Sequence, residues 1–273
     1  MIRDVHHVGI AVRDMDEAYA FYRDALGLPL VKEGDVPARG VRAAMLAAGR
    51  SYLELVQPTD ASSPFAKHIE ERGEGLHHLA LWTYGVQAQV AHLRELAVPL
   101  EDHEPREGFT GRLSYLHPQA FDGAQLEVVQ PEDGLRGDGH ANGAAGRAEN
   151  GHIARIDHVV LRVPDAVATC NRFQTYFEVP TKRSFERGPM LFAFLRPGDV
   201  IIEVIGPKEG GEPDSGRIAG LAFEVKGIDD LAASLKEKGY PVGEPHAALQ
   251  GGRIVSVHHS GACGVPVAFI DFS

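Results

Sequence analysis

Four times along this chain, a short run of alternating apolar and polar positions leads into an apolar pattern of helical period. The first run, Val5-His-His-Val-Gly-Ile-Ala11, is followed by Asp14-Met-Asp-Glu-Ala-Tyr-Ala-Phe-Tyr22, with Ala18, Phe21, Tyr22, Ala25 and Leu26 at helical spacing. Acidic residues at the start suit a helix N-terminus and Gly27 supplies its stop. The unit from Val5 to Leu30 recurs from Leu76 to Leu100, from Ile156 to Thr181 and from Ile218 to Val242. In the last copy, Ile228-Asp-Asp-Leu-Ala-Ala-Ser-Leu-Lys-Glu-Lys-Gly239 repeats the helix and its glycine ending. Strand-like segments follow each helix. They include Gly40 to Leu46 and Ser51 to Val56, Arg112 to Leu116 and Ala124 to Val129, Met190 to Leu195 and Val200 to Ile205, and Arg253 to Val257 and Val265 to Ile270. With one more strand directly after the helix, every unit reads as strand, helix and three strands. Pro266, unable to donate a ladder hydrogen bond, predicts that the last strand begins at an edge or a bulge.

The apolar periodicity stops after Gln130, where Gly, Asp, Ala and Asn take over, as in Gly134-Leu-Arg-Gly-Asp-Gly-His-Ala-Asn-Gly143. This predicts two domains of two units each, residues 1–131 and 153–273, joined by a flexible linker over 132–152. His140 and His152 fall in or beside the linker and are not expected to be ligands.

Composition adds little restriction. The hydrophobic fraction of 44% and charged fraction of 24% are those of a globular protein, and 273 residues suffice for two cores. A formal charge of -11 advertises no basic surface for nucleic acid or an anionic membrane. No apolar run reaches the roughly 20 residues a spanning helix needs, and Met-Ile-Arg-Asp does not open a signal peptide, so a cytoplasmic location is expected. Cys170 and Cys263 form no metal or redox motif.

The candidate chemistry lies in polar residues that interrupt apolar strands. Of the paired histidines, the third copy keeps only His158 in Arg155-Ile-Asp-His-Val-Val-Leu161, aligned with His7 and His78. His77 is therefore expected on the opposite strand face in a structural role. Each of the first two units also carries a carboxylate on its last strand, Glu54 in Leu53-Glu54-Leu55 and Glu127 in Leu126-Glu127-Val128. The spacings match, 54 − 7 = 47 and 127 − 78 = 49. A carboxylate buried without compensation is costly, and a divalent cation relieves that cost. Two imidazoles and two carboxylates suit Co, Ni, Mn or Zn with coordination positions left for substrate.

These residues carry a resemblance to the vicinal oxygen chelate superfamily, which includes glyoxalases, bleomycin resistance proteins and extradiol dioxygenases. The resemblance implies an α+β fold of tandem domains, each made of two βαβββ modules forming a curved mixed sheet around a pocket. Residues 5–130 look most like methylmalonyl-CoA epimerases, through His7-Val-Gly-Ile-Ala-Val12, Phe21-Tyr-Arg-Asp-Ala-Leu-Gly-Leu28, Ser63-Pro-Phe-Ala-Lys67, Arg72-Gly-Glu-Gly-Leu-His-His78 and Leu116-His-Pro118 with Leu126-Glu127. The likeness implies His7, Glu54, His78 and Glu127 as metal ligands. It also implies proton transfer at the carbon beside a thioester carbonyl, with Glu127 as first and Glu54 as second candidate base, and an acyl-CoA substrate. A homodimer is compatible with it.

The chain departs from the epimerase pattern in two places. Ala43 stands where some epimerases have a carboxylate, and Gln119 follows His117-Pro118 where the family often has lysine. Arg112, Lys67 and Arg72 are the cations that could serve CoA instead. The second half keeps His158 and Glu203, 203 − 158 = 45 apart, but has Gly220 and Ala268 at the other two ligand places. His258, His259 and Asp271 lie nearby, with His258 aligned to His117. Loss of its metal and a supporting role, packing on the first half or covering its pocket, are expected. Rival readings are a glyoxalase I-like lyase, which shares a His, Glu, His, Glu set, and a metal-free small-molecule binding or resistance protein. An extradiol dioxygenase, with two histidines and one carboxylate, leaves Glu54 unexplained.

Overall fold

The structure, a computed structural model, describes residues 1–136, 151–208, 210–212, 215–248 and 251–273. The first module is β1 (Ile2–Ala11), α1 (Met15–Ala18) continuing as a π-helix (Tyr19–Ala25), β2 (Leu30–Val36), β3 (Val41–Ala48) and β4 (Ser51–Pro58). After α2 (Pro64–Arg72) comes the second: β5 (Gly75–Thr83), α3 (Val86–Glu95), the two-residue β6 (Arg106–Glu107), β7 (Gly111–Tyr115) and β8 (Gln125–Pro131). The third is β9 (Ile153–Arg162), α4 (Ala166–Phe177), β10 (Thr181–Arg187), β11 (Met190–Leu195) and β12 (Ile201–Pro207). The fourth is β13 (Arg217–Val225), α5 (Ile228–Glu237), β14 (His246–Ala247), β15 (Arg253–Val257) and β16 (Val267–Asp271). The predicted strand, helix and three strands thus occur four times.

They form two eight-stranded sheets of the same order, β2-β3-β4-β1-β5-β8-β7-β6 and β10-β11-β12-β9-β13-β16-β15-β14. Each sheet is mixed. β8 runs parallel to β5 and β12 parallel to β9, while the hairpins are antiparallel. The histidine-bearing strands β1 and β5 are central neighbours, buried along nearly their whole length. The edge strand β10 is exposed at all seven residues, and Lys182, Arg183 and Arg187 protect it from pairing with another chain.

Several sequence expectations need amendment. The first helix turns into a π-helix in which Leu26 N–H reaches Phe21 C=O, five residues back, before Gly27 ends it at φ 73°. The helix α2 lies inside the stretch that suggested the epimerases; Ser63 caps it, Pro64 occupies its first turn, and Phe65 and Ile69 are buried. Pro266 marks neither an edge nor a bulge. It stands one residue before β16, a strand flanked by β13 and β15, so no ladder N–H is lost, and its carbonyl accepts from Leu221 N–H. Within the expected linker, Asp133–Leu135 form a 3-10 turn with Leu135 buried; residues 137–150, including His140, lie outside the described residues. No described helix is long and apolar enough to cross a membrane.

The chain gathers into two compact units. One joins residues 1–7 to the second module from His78 and the third from His158. Its core includes Phe121 against Phe173, with centroids 4.9 Å apart, and Asp122 pairs with Arg172. In the same unit the Asp4 carboxylate accepts from the N–H groups of Val5, Asp199 and Val200, and burial raises its pKa. The other unit joins the rest of the first module to the fourth from Gly220. There Tyr22 donates its hydroxyl to Ala262 C=O at 3.0 Å, and Tyr240 donates to Ala20 C=O at 3.0 Å.

Candidate metal centre

The strands β4, β1 and β5 lie side by side in the first sheet and supply Glu54, His7 and His78. Each offers one ligand atom, and these atoms all lie within 4.8 Å of one another. All three residues are buried, His7 and His78 almost completely. His7 Nε2 stands 3.0 Å from His78 Nε2 and 3.8 Å from Glu127 Oε1. β8 delivers Glu127 because it pairs in parallel with β5, setting Glu127 beside Ala80 two residues beyond His78. Of the four residues singled out in the sequence, His7, Glu54 and His78 thus form one group, and Glu127 on the same sheet lies against His7.

Two buried side chains at this centre were not singled out. Tyr115 is paired in register with Glu127 across β7 and β8, and its hydroxyl lies 3.4 Å from His78 Nε2. A period-two reading of Leu113-Ser-Tyr115 from Glu127 would have found it. His6 is the second. Neighbouring strand residues ordinarily diverge, yet the His6 and His7 rings meet edge to face with their Nδ1 atoms 2.7 Å apart, and His6 Nε2 is 2.8 Å from Leu135 O. Sequence gave no sign of this, since Leu135 approaches from 129 residues away.

Burial sets the protonation of these rings. The pKa of His6 is held down at about 4, and that of His7 falls well below its ordinary value, first through burial and then through its histidine neighbours. Neutral imidazoles are the form that ligates metal.

The other sequence candidates lie elsewhere. His77 is half-buried and stacks on Phe65 at 4.2 Å, which gives it the structural role expected. His117 and His258 are equivalent caps: each accepts at Nδ1 from the backbone N–H two residues on, starting a 3-10 turn. Lys67, Arg72 and Arg112 are exposed, the last ion-paired with Glu107 at 3.4 Å. Ala43 is fully buried on β3 and offers no proton carrier. His152 bonds Lys226 C=O at 2.9 Å, whereas His259 is exposed and Asp271 accepts from Gly227 and Ile228 N–H. In the second sheet His158 Nε2 stands 3.5 Å from Glu203 Oε2, and Ala222 pairs with Ala268 where the first sheet has Ala80 and Glu127.

Residues 6–116 match the Glyoxalase/Bleomycin resistance protein/Dioxygenase superfamily. An ethylmalonyl-CoA/methylmalonyl-CoA epimerase of Cereibacter sphaeroides is 33% identical over 133 residues, 48% of this chain and 99% of that protein. The protein YqjC of Bacillus subtilis is 34% identical over 135 residues, 49% of this chain and 94% of its own. A 4-hydroxymandelate synthase variant from Streptomyces coelicolor superposes over 99% of this chain and 92% of its own with TM-score 0.70 at 17% identity, a likeness of fold alone. The chain belongs to the glyoxalase/bleomycin resistance/dioxygenase superfamily, with a tandem α+β fold. Its N-terminal half is similar to methylmalonyl-CoA epimerases.

Proposed function

We propose that the N-terminal half is a metal-dependent epimerase that moves a proton at the carbon α to a thioester carbonyl, on a methylmalonyl-CoA-like substrate. The observation that carries the proposal is the convergence of His7, Glu54 and His78 within 4.8 Å at a buried point of one sheet, with Glu127 3.8 Å from His7. The donor set fits a divalent ion of the Co, Ni, Mn or Zn type: two imidazoles, two carboxylates, and burial that favours neutral rings. Similarity to an epimerase over nearly that protein's full length supports the substrate class.

In this reading His7, Glu54, His78 and Glu127 hold the ion. A divalent ion held by these residues would supply positive charge to stabilise the negative charge that develops on the thioester as the α-proton leaves. Glu127 takes that proton: the C–H bond breaks, its electron pair moves toward the carbonyl oxygen, and an O–H bond forms on the carboxyl group. A proton delivered to the opposite face forms the new C–H bond there and inverts the carbon, Glu54 being the second candidate for the carboxylate on that side, and loss of the Glu127 proton to water completes the exchange.

The test is interconversion of the two methylmalonyl-CoA epimers by protein loaded with each of the four ions, followed by chiral separation. Turnover that disappears in Glu127→Gln is expected. Absence of interconversion with every ion rejects the substrate, and isomerisation of the methylglyoxal and glutathione adduct in its place selects the glyoxalase I-like reading. Protein that binds none of the ions falls to the metal-free binding reading.

A further inference from the structure

The contacts of His6 leave little freedom in where its proton sits. Leu135 O can only accept, so His6 Nε2, 2.8 Å away, donates. A neutral imidazole carries one proton, which leaves His6 Nδ1 with a lone pair. That lone pair faces His7 Nδ1 at 2.7 Å, and His7 must donate there. The lone pair of His7 is then at Nε2, the atom that looks toward His78 and Glu127 at 3.0 and 3.8 Å. We infer that His6 is a positioning residue that, through the Leu135 carbonyl, fixes the tautomer of His7 and presents its Nε2 lone pair to the metal centre.

This inference rests on the metal reading for its purpose but not for its geometry. A metal-ligating histidine works best when its other ring nitrogen donates to a fixed acceptor, because the tautomer and ring angle are then set before the ion arrives. His6 fills that place for His7. The arrangement also ties the ligand to the end of the first half, because the 3-10 turn Asp133–Leu135 carries the terminal acceptor. The two histidines differ in readiness. With the His7 lone pair at Nε2, the 3.0 Å contact makes His78 Nε2 the donor, so His78 must move its proton before it can ligate while His7 need not.

The test uses the full chain with ¹⁵N-labelled histidine, first free of metal and then titrated with zinc. Metal-free protein is expected to show His7 protonated at Nδ1 and bare at Nε2. His6→Leu removes the acceptor, and competition with a chelator should then show zinc affinity reduced about 10- to 100-fold. His6→Asn, whose side-chain oxygen can accept from His7 Nδ1–H, should restore the tautomer and most of the affinity. A merely structural role would lower the melting temperatures of both variants without separating them in tautomer or affinity. His7 protonated at Nε2 in the unmutated protein overturns the inference. So does His6→Leu that folds and keeps both the tautomer and the affinity. If the unmutated protein shows the stated tautomer yet binds no zinc, the metal reading fails while the tautomer assignment stands on the spectrum alone.

Discussion

Glu127 is 1% exposed and sits between a register partner, Tyr115, and an imidazole 3.8 Å away. Replacing it with glutamine keeps the volume and removes both the charge and the proton-accepting oxygen. Glu127→Gln is expected to lower turnover by about 10²- to 10⁴-fold, measured by epimer interconversion, while the urea midpoint stays near that of the unmutated chain. The two cysteines make a contrasting case. Burial raises the Cys170 thiol and pushes Cys263 up to about 12. Since the thiolate is the nucleophile, native protein at pH 8 should resist iodoacetamide at Cys263, and urea-unfolded protein should react at both sites. Mass spectrometry that finds Cys263 alkylated equally fast in the native state contradicts this. At this scale the sequence already displayed His7, Glu54 and His78, which the fold gathers, and Glu127 beside His7, because a polar residue in an apolar strand stands out and recurs at the same place in the repeat. It hid His6, whose role depends on a carbonyl 129 residues distant.

The elements follow from their local signals where those signals are strong. Asp14 accepts from Asp16 and Glu17 N–H to start α1, Asp165 caps α4, and Gly27 ends the first helix. The signals were silent about the π-helical turn and about α2, whose pattern of two buried residues in nine is too sparse for a periodicity argument. Turn glycines carry a sharper prediction. Gly264 has φ 75°, and a Cβ there would stand 1.9 Å from Glu74 O in the approach of the fourth module to the start of β5. Both the backbone conformation and the space exclude a side chain. Gly264→Ala should destabilise by roughly 2–4 kcal/mol, read as a lower urea midpoint with unchanged slope.

At the scale of the whole molecule, the repeats predicted a tandem fold, and two sheets of identical strand order bear that out. Less legible was how the modules associate. Second packs with third and first with fourth, through aromatic contacts such as Phe121 with Phe173 and Phe21 with Tyr240. No alternation within one strand encodes a contact of that span. Contacts of the third module with the second and of the fourth with the first are what a packing role for the second half requires. A chain ended at residue 136 should therefore self-associate or lose cooperative unfolding, because Phe121, Tyr22 and Phe21 would face water. Light scattering that finds a stable monomer with unchanged melting would contradict that. The central claim is that the buried histidine and glutamate cluster uses a divalent ion to exchange a carbon-bound proton. Its most direct test is the incorporation of deuterium from heavy water into methylmalonyl-CoA by protein stripped of metal and then reloaded. Exchange that is absent after stripping, returns with the ion and is lost in Glu127→Gln is the predicted result; exchange at the same rate with and without metal would contradict it.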